Sequence, residues 1–290
     1  MKEEFLKYQA QTTHHPLSIE IKKANGCYIF DTNNKKYLDF VAGVSANSLG
    51  HQHPEISRAV KNQLDRYAHV MVYGEFIQEP QLELCKLLSE SLPETFSVYL
   101  TNSGTEACEG ALKLAKRFTK RSEIIAAHHS YHGNTQGSMS VSGAEKQNSA
   151  FRPLIPGTKF IQYNAVSDLK KISHKTAAVI LETIQGGAGF ISPKNDYLKK
   201  VKKRCEEAGA LLILDEIQTG IGRTGKLLAC HHENVQPDIL ILAKALSGGL
   251  YPVSAVLAND PIMMCIRPGE HGSTYGGNPI ACAVGKAALK

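Results

Sequence analysis

With 290 residues, 42% of them hydrophobic, the chain carries enough apolar material for one large core or two modest ones. No window reaches the ~18 uninterrupted apolar residues of a membrane span. The net charge of +6 is mild, and its densest basic stretches, Lys170-Lys171 and residues 199–204, have no interleaved aromatics, which argues against nucleic acid as a partner.

The seven cysteines are odd in number, widely scattered and without a C-x-x-C pair. They predict reduced thiols and a cytoplasmic location, not a disulfide framework or a zinc site. Among the twelve histidines only His128 and His132 have i, i+4 spacing, and the glutamate of H-E-x-x-H is missing, so no metal is expected. The opening MKEEFLKYQAQTTHH has early acids and no apolar stretch, unlike a signal or transit peptide.

In chain order, two short β-rich runs at 27–30 and 37–40 flank the turn-forming Asp31-Thr32-Asn33-Asn34 and predict a small hairpin. From Pro54 the pattern turns helical, with Ile56, Val60, Gln63-Leu64 and Tyr67 near one face. Pro80 opens a second helix, QLELCKLLSESL, with a stop at Pro93. Seven β-rich runs follow, at 98–100, 124–127, 160–163, 177–181, 210–214, 239–243 and 253–257. Helical segments at 106–119, 166–172 and 196–208 separate several of them. AAVIL, ALLIL and DILIL are apolar on both faces, as a central parallel strand covered by helices must be. The expected fold is therefore a doubly wound α/β domain. Residues 1–45 form an N-terminal segment with the hairpin, and 46–285 the large domain.

Ligands of such a sheet sit beyond the carboxyl ends of its strands. Glu182 follows AAVIL, Asp215 follows ALLIL, Lys244 follows DILILA, and Thr101-Asn102-Ser103-Gly104-Thr105 follows VYL at the mouth of a helix. Any one of these alone reads as a solvated strand cap or a helix N-cap. Together they describe a phosphate cradle at a helix N-terminus, an acid and a lysine, which are the needs of pyridoxal phosphate. A competing signal is GIGRTG (220–225), which fits the G-x-G-x-x-G spelling of a dinucleotide loop. Glu216 to Thr219 separate it from its strand and it falls late in the chain, so the aspartate outranks the glycines as the functional element.

The sequence resembles the class III (omega) aminotransferases, fold-type I pyridoxal phosphate enzymes. The resemblance rests on NSGTEA (102–107), YHGNTQG (131–137), ETIQGGAG (182–189), DEIQTG (215–220) with GRTG (222–225), AKALSGG (243–249) and HGSTYGGNP (271–279), in the family's order. It implies a seven-stranded, mostly parallel sheet with a smaller second domain. It implies Lys244 holding pyridoxal 5′-phosphate as an aldimine, Asp215 on the pyridinium nitrogen and Gln218 on the phenolic oxygen. Ser103, Gly104 and Thr105 would bind the phosphate, Tyr131 would stack on the ring with His132 beside it, and Glu182 would lie near the cofactor. Ser273 and Thr274 would reach the phosphate of a neighbouring subunit, so the resemblance implies a homodimer with shared sites.

The implied reaction moves an amino group from an amino acid or ω-amine to a keto acid, 2-oxoglutarate being the family's usual acceptor. From about residue 230 onward the chain resembles ornithine aminotransferase. Before that it looks like the acetylornithine or broad ω-amino acid kind. His14, Val44, Asn134, Thr183 and Gly187 stand where the ornithine enzyme has tyrosine, tyrosine, arginine, proline and glutamate. An acylated or uncharged tail is thus expected over free ornithine. The family's chain continues well beyond GGNP, whereas this sequence stops at Ala288-Leu289-Lys290, a fragment, truncated product or fusion lacking most of the small domain. Two alternatives follow: an impaired chain that binds cofactor only, and another class III reaction (decarboxylation, epimerisation or amino migration).

Overall fold

The computed structural model describes residues 1–92 and 96–290, so the helix stop expected at Pro93 lies outside the described residues. Near the N-terminus the predicted hairpin forms as β2 (Tyr28–Asp31) and β3 (Lys36–Leu38), joined by β1 (Ile21–Asn25) into a three-stranded antiparallel sheet. Asp31 closes the turn by accepting the Asn33 and Lys35 N–H groups and the Tyr37 hydroxyl. The first strand, IKKAN, is mostly exposed, so it carries no apolar alternation for a sequence reading to find.

The helix Pro54–Arg66 buries Ile56 and Gln63 but leaves Leu64 51% exposed, which corrects the predicted face. Gln63 lies near the middle of the buried stripe and caps the Tyr67 carbonyl, and the next residue is turned ~100° away from it. Glu79–Glu90 is a helix opened by Pro80, as expected.

All seven β-rich runs become strands of one sheet: β4 (Ser97–Thr101), β5 (Glu123–Ala127), β6 (Thr158–Ile161), β7 (Thr176–Glu182), β8 (Leu211–Asp215), β9 (Ile239–Leu242) and β10 (Ser254–Ala258), in the order β4-β10-β9-β8-β7-β5-β6. Strands β5 to β9 pair in parallel, and β10 runs antiparallel to both β9 and β4. The sheet is doubly wound. Val179, Leu181, Leu212 and Leu214 face the helix Tyr197–Ala208 through Leu198 and Val201. Ala178, Ile180, Ile213 and Ile241 face the helix Gly104–Thr119 through Ala107, Ala111 and Leu114. Each fully buried Leu or Ile on these faces contributes ~1.5–3 kcal/mol of transfer free energy, which favours β7 and β8 as the centre of the sheet. The stretch expected as a helix at 166–172 is the 3₁₀ segment Val166–Lys171. No helix among the described residues is long and apolar enough to cross a membrane, and all seven cysteines are free.

Candidate active site

The ends of β7 and β8 lie side by side, with Glu182 in register against Asp215. After β9 the chain turns sharply, and Lys244 adopts a left-handed backbone (φ 46°) at the start of the 3₁₀ turn Lys244–Ser247. Because β10 is reversed, its first residue, Ser254, reaches this same edge opposite Thr101, and residues 250–253 are delivered there too. A cavity of about 750 Å³ opens at this edge, lined by Ser103, Gly104, Thr105, Tyr131, His132, Glu182, Asp215, Gln218 and Lys244 together with Val44, Asn134 and Gly187.

The acid at its floor is built in. Asp215 is 4% exposed, its Oδ2 lies 2.7 Å from His132 Nδ1, and its Oδ1 accepts the Ile217 N–H at 3.0 Å. His132 is itself buried, and its Nε2 is one of the few buried polar atoms without a protein partner; Thr219 Oγ1, also in the cavity wall, is another. A buried unpaired group carries a desolvation cost, so both atoms mark positions where a polar ligand is accommodated.

Glu182 accepts the N–H groups of Tyr131 (3.2 Å) and Gly186 (3.3 Å). Burial pushes its carboxyl up from 4.5 to about 7; His132 opposes the shift and the Asp215 charge adds to it. The native chain therefore holds a proton on Glu182 that the unfolded chain has lost between about pH 4.5 and about 7. Stability conferred by that difference is present below this window and falls as pH rises through it, by ~3 kcal/mol in total. Glu182→Gln is expected to flatten this part of the profile, so denaturant midpoints at pH 5 and pH 8 should differ less in the variant than in the parent. Burial likewise pushes the Lys244 ammonium below the ordinary lysine range, against the pull of the Asp215 and Glu182 carboxylates.

Facing the acid is the mouth of the helix Gly104–Thr119. Ser103 caps it: its hydroxyl accepts the Glu106 N–H, while Glu106 accepts the N–H groups of Asn102 and Ser103. The cap leaves the first-turn amides of Gly104 and Thr105 without intrahelical acceptors, beside the cavity, at the positive end of the helix dipole. A Cβ at Gly104 would stand 2.7 Å from the end of the Ile217 side chain, so a larger residue there would have to displace Ile217. The Thr135–Ser138 turn is seated on this helix. Thr105 bonds Thr135 and Ser138, and Glu109 accepts the N–H groups of Gly137 (2.8 Å) and Ser138 (3.1 Å).

Ser273 and Thr274, expected at the phosphate of a neighbouring subunit, lie outside this chain's own cavity. Ser273 Oγ accepts the Asn102 side-chain amide (3.1 Å) and the Gly276 N–H (2.9 Å) of its own chain, and Thr274 is exposed; neither lines the cavity. Of the positions expected to shape substrate choice, His14 is exposed and Thr183 is buried with its hydroxyl on Glu216, and neither lines the cavity. The sequence reading missed the His132–Asp215 bond, the Glu109 anchor and Ser254, whose hydroxyl bonds Thr101 and donates to the Ser103 carbonyl at 2.8 Å. Glu109 had a signal in its spacing, three residues after the capping Glu106. The reversal of β10 had none. GIGRTG forms turns followed only by the short 3₁₀ segment Ala229–His232, so it does not open an α-helix whose N-terminus could meet a pyrophosphate.

A doubly wound sheet with a half-buried lysine, a buried acid and a free helix mouth on one edge defines an α/β enzyme that works through a bound phosphorylated cofactor. The comparisons agree: residues 8–290 match the family described as aminotransferase class-III. The acetylornithine aminotransferase of Clostridium acetobutylicum is 43% identical over 98% of this chain and 74% of its own length. The ornithine aminotransferase of Oceanobacillus iheyensis is 41% identical over 97% of this chain and 72% of its own length. A crystal structure of the Toxoplasma gondii ornithine aminotransferase, described with partial occupancy of PLP at its active site, superposes with a TM-score of 0.93 at 37% identity, covering 99% of this chain and 69% of that one. The chain belongs to the class III aminotransferases. These enzymes use pyridoxal 5′-phosphate, and the cavity fits it: amides for the phosphate, a carboxylate at the floor, a lysine of lowered pKa and unpartnered polar atoms in the wall.

Proposed function

We propose that this cavity transfers the amino group of an amino acid with an acylated or uncharged tail, of the acetylornithine kind, to a keto acid such as 2-oxoglutarate. The observation that carries the reading is the convergence of Lys244, Asp215 and the Gly104–Thr105 amides on one cavity. Residues 46–285 form the cofactor-binding unit. When bound, pyridoxal phosphate supplies an aldehyde that links to an amine and a ring that takes up the electron pair released with the neighbouring proton.

The chain supplies the rest. Lys244 Nζ would hold the aldehyde and, freed by a substrate amine, would take the proton from the carbon beside the amine nitrogen and deliver it to the former aldehyde carbon, which leaves the nitrogen with the cofactor. Its lowered pKa leaves more of it as free base near neutral pH. Asp215 holds the proton on the ring nitrogen, and His132 Nδ1 fixes the carboxylate that does so. Gly104 and Thr105 amides with the Ser103 hydroxyl would bind the phosphate, Tyr131 would cover the ring and Gln218 would contact its phenolic oxygen, while Glu182 orients Tyr131 through its N–H. Leu250, Tyr251 and Pro252 add apolar surface to the cavity wall.

Val44, Asn134 and Gly187 line the cavity and offer no charge to a free side-chain ammonium, which supports the acylated or uncharged tail. Ser273 and Thr274 serve the phosphate of a second copy in a cytoplasmic homodimer. Incubating the chain with pyridoxal phosphate, reducing with borohydride and mapping peptides by mass is expected to place one pyridoxyl adduct on Lys244. No adduct, or a scatter over surface lysines, would sink the site. A donor scan in which free ornithine is best by a wide margin would sink the substrate class.

A further inference from the structure

One motif has no part in the chemistry above: GIGRTG, which lacks the helix a dinucleotide would need. Its loop is firmly rooted. Glu216, fully buried, accepts the Thr183 hydroxyl and the N–H groups of Ala229 (2.7 Å) and Cys230 (2.6 Å), which ties the loop's two ends together. His232 bonds Thr224 within it. From this base Arg223 extends outward and donates to the Ser45 carbonyl at 2.9 Å.

Ser45 belongs to a strained segment. Ala42, Gly43, Val44 and Ser45 all have left-handed backbones, with φ of 49°, 57°, 57° and 67°. Three of these residues carry a Cβ, and one is β-branched, so the local sterics oppose this conformation and the surroundings must impose it. The surroundings are visible. Asp39 accepts the Ala42 N–H (2.9 Å) and bonds His51 (2.8 Å) at one end. At the other, Asn47 presses on Gly249, just past the Lys244 turn, where a Cβ would stand 1.7 Å from the Asn47 side-chain oxygen. Between them Ser45 is held twice, its carbonyl by Arg223 and its hydroxyl, at 3.5 Å, by Gln218. The segment so fixed carries Val44 and Ala46 into the cavity wall.

We infer that Arg223 is a positioning residue for substrate choice: it straps residues 42–45 in their left-handed form and thereby sets how far Val44 projects into the cavity. Arg223 itself does not line the cavity. Its guanidinium acts on Val44 only through the Ser45 carbonyl, and the sequence GIGRTG is the scaffold that aims it. The consequence for substrate choice rests on the aminotransferase reading proposed above.

Hydrogen–deuterium exchange and donor binding test this together. The amides of Ser45 and Asn47, bonded to the Val41 and Ala42 carbonyls, are expected to lose about tenfold of their protection in Arg223→Ala, with part restored in Arg223→Lys, whose single ammonium reaches the same carbonyl with fewer donors. Unchanged exchange in Arg223→Ala overturns the strap, whether or not the chain transaminates. In the cofactor-loaded chain, half-saturation by an acylated and by a free diamino acid is read from the absorbance change without keto acid. Val44→Ala is expected to shift their ratio in the parent and to leave it unshifted in the Arg223→Ala background. Equal shifts in both backgrounds overturn the role in substrate choice. A parent chain that answers to no amine at all would overturn the aminotransferase reading itself, and the exchange arm still decides the strap. The pyridoxyl adduct on Lys244 is expected unchanged in Arg223→Ala, which separates a local effect from unfolding.

Discussion

Lys244→Ala is expected to reduce turnover by roughly four orders of magnitude or more, because one side chain is asked both to hold the cofactor and to move the substrate proton. Nothing else in the wall duplicates it: among the described residues, Lys244 is the one lysine lining the cavity. The variant should still fold, since the lysine is a desolvated base that its own burial disfavours in the charged form. Removing it takes away that cost, and denaturant stability near neutral pH should hold or rise slightly. The check is single-turnover absorbance of the loaded variant with an amine donor, with and without a small exogenous amine. Partial rescue by the added amine would show that the base alone was lost. Transamination at the parental rate would refute the site.

Asp215→Asn is the second large effect, with an expected loss of about 10²–10³ in turnover. The substitution keeps shape and an oxygen for the Ile217 N–H, turns an amide NH2 toward His132, and removes the charge that holds a proton on the ring nitrogen. Cofactor affinity, carried largely by the helix-mouth amides, should fall far less than turnover, and this split is the diagnostic readout. Asp215→Glu should fail to restore the rate, because the site is 4% exposed and its carboxylate is already fitted between His132 and a backbone amide. Parallel loss of cofactor binding and turnover in Asp215→Asn would mean that Asp215 is structural.

Much of the fold was legible in the residues. Runs such as TAAVILE and LLILD are apolar through their centres, which only a strand covered on both faces tolerates, and they became the fully buried β7 and β8. The helix mouth was legible as an N-cap, but the reciprocal bond from Glu106 that completes the cap on Ser103 was not read from the residues. Polar, exposed IKKAN was silent because pairing, not burial, makes it a strand. Leu64 misled because the true centre of the helix face is a glutamine.

What the sequence by itself determined is the set of local and periodic features: the two-faced strands, the capped helix, and which chemical groups follow each strand end. Parallel strands deliver their carboxyl ends to one edge, so Glu182, Asp215 and Lys244 meet without further instruction. Tertiary structure alone decided the direction of β10, and with it the arrival of Ser254 and residues 250–253 at the cavity. It alone paired His132 with Asp215, 83 residues apart, and Arg223 with Ser45, 178 residues apart. Contacts of that span depend on how packed layers close on one another, and no residue pattern within either segment encodes its partner.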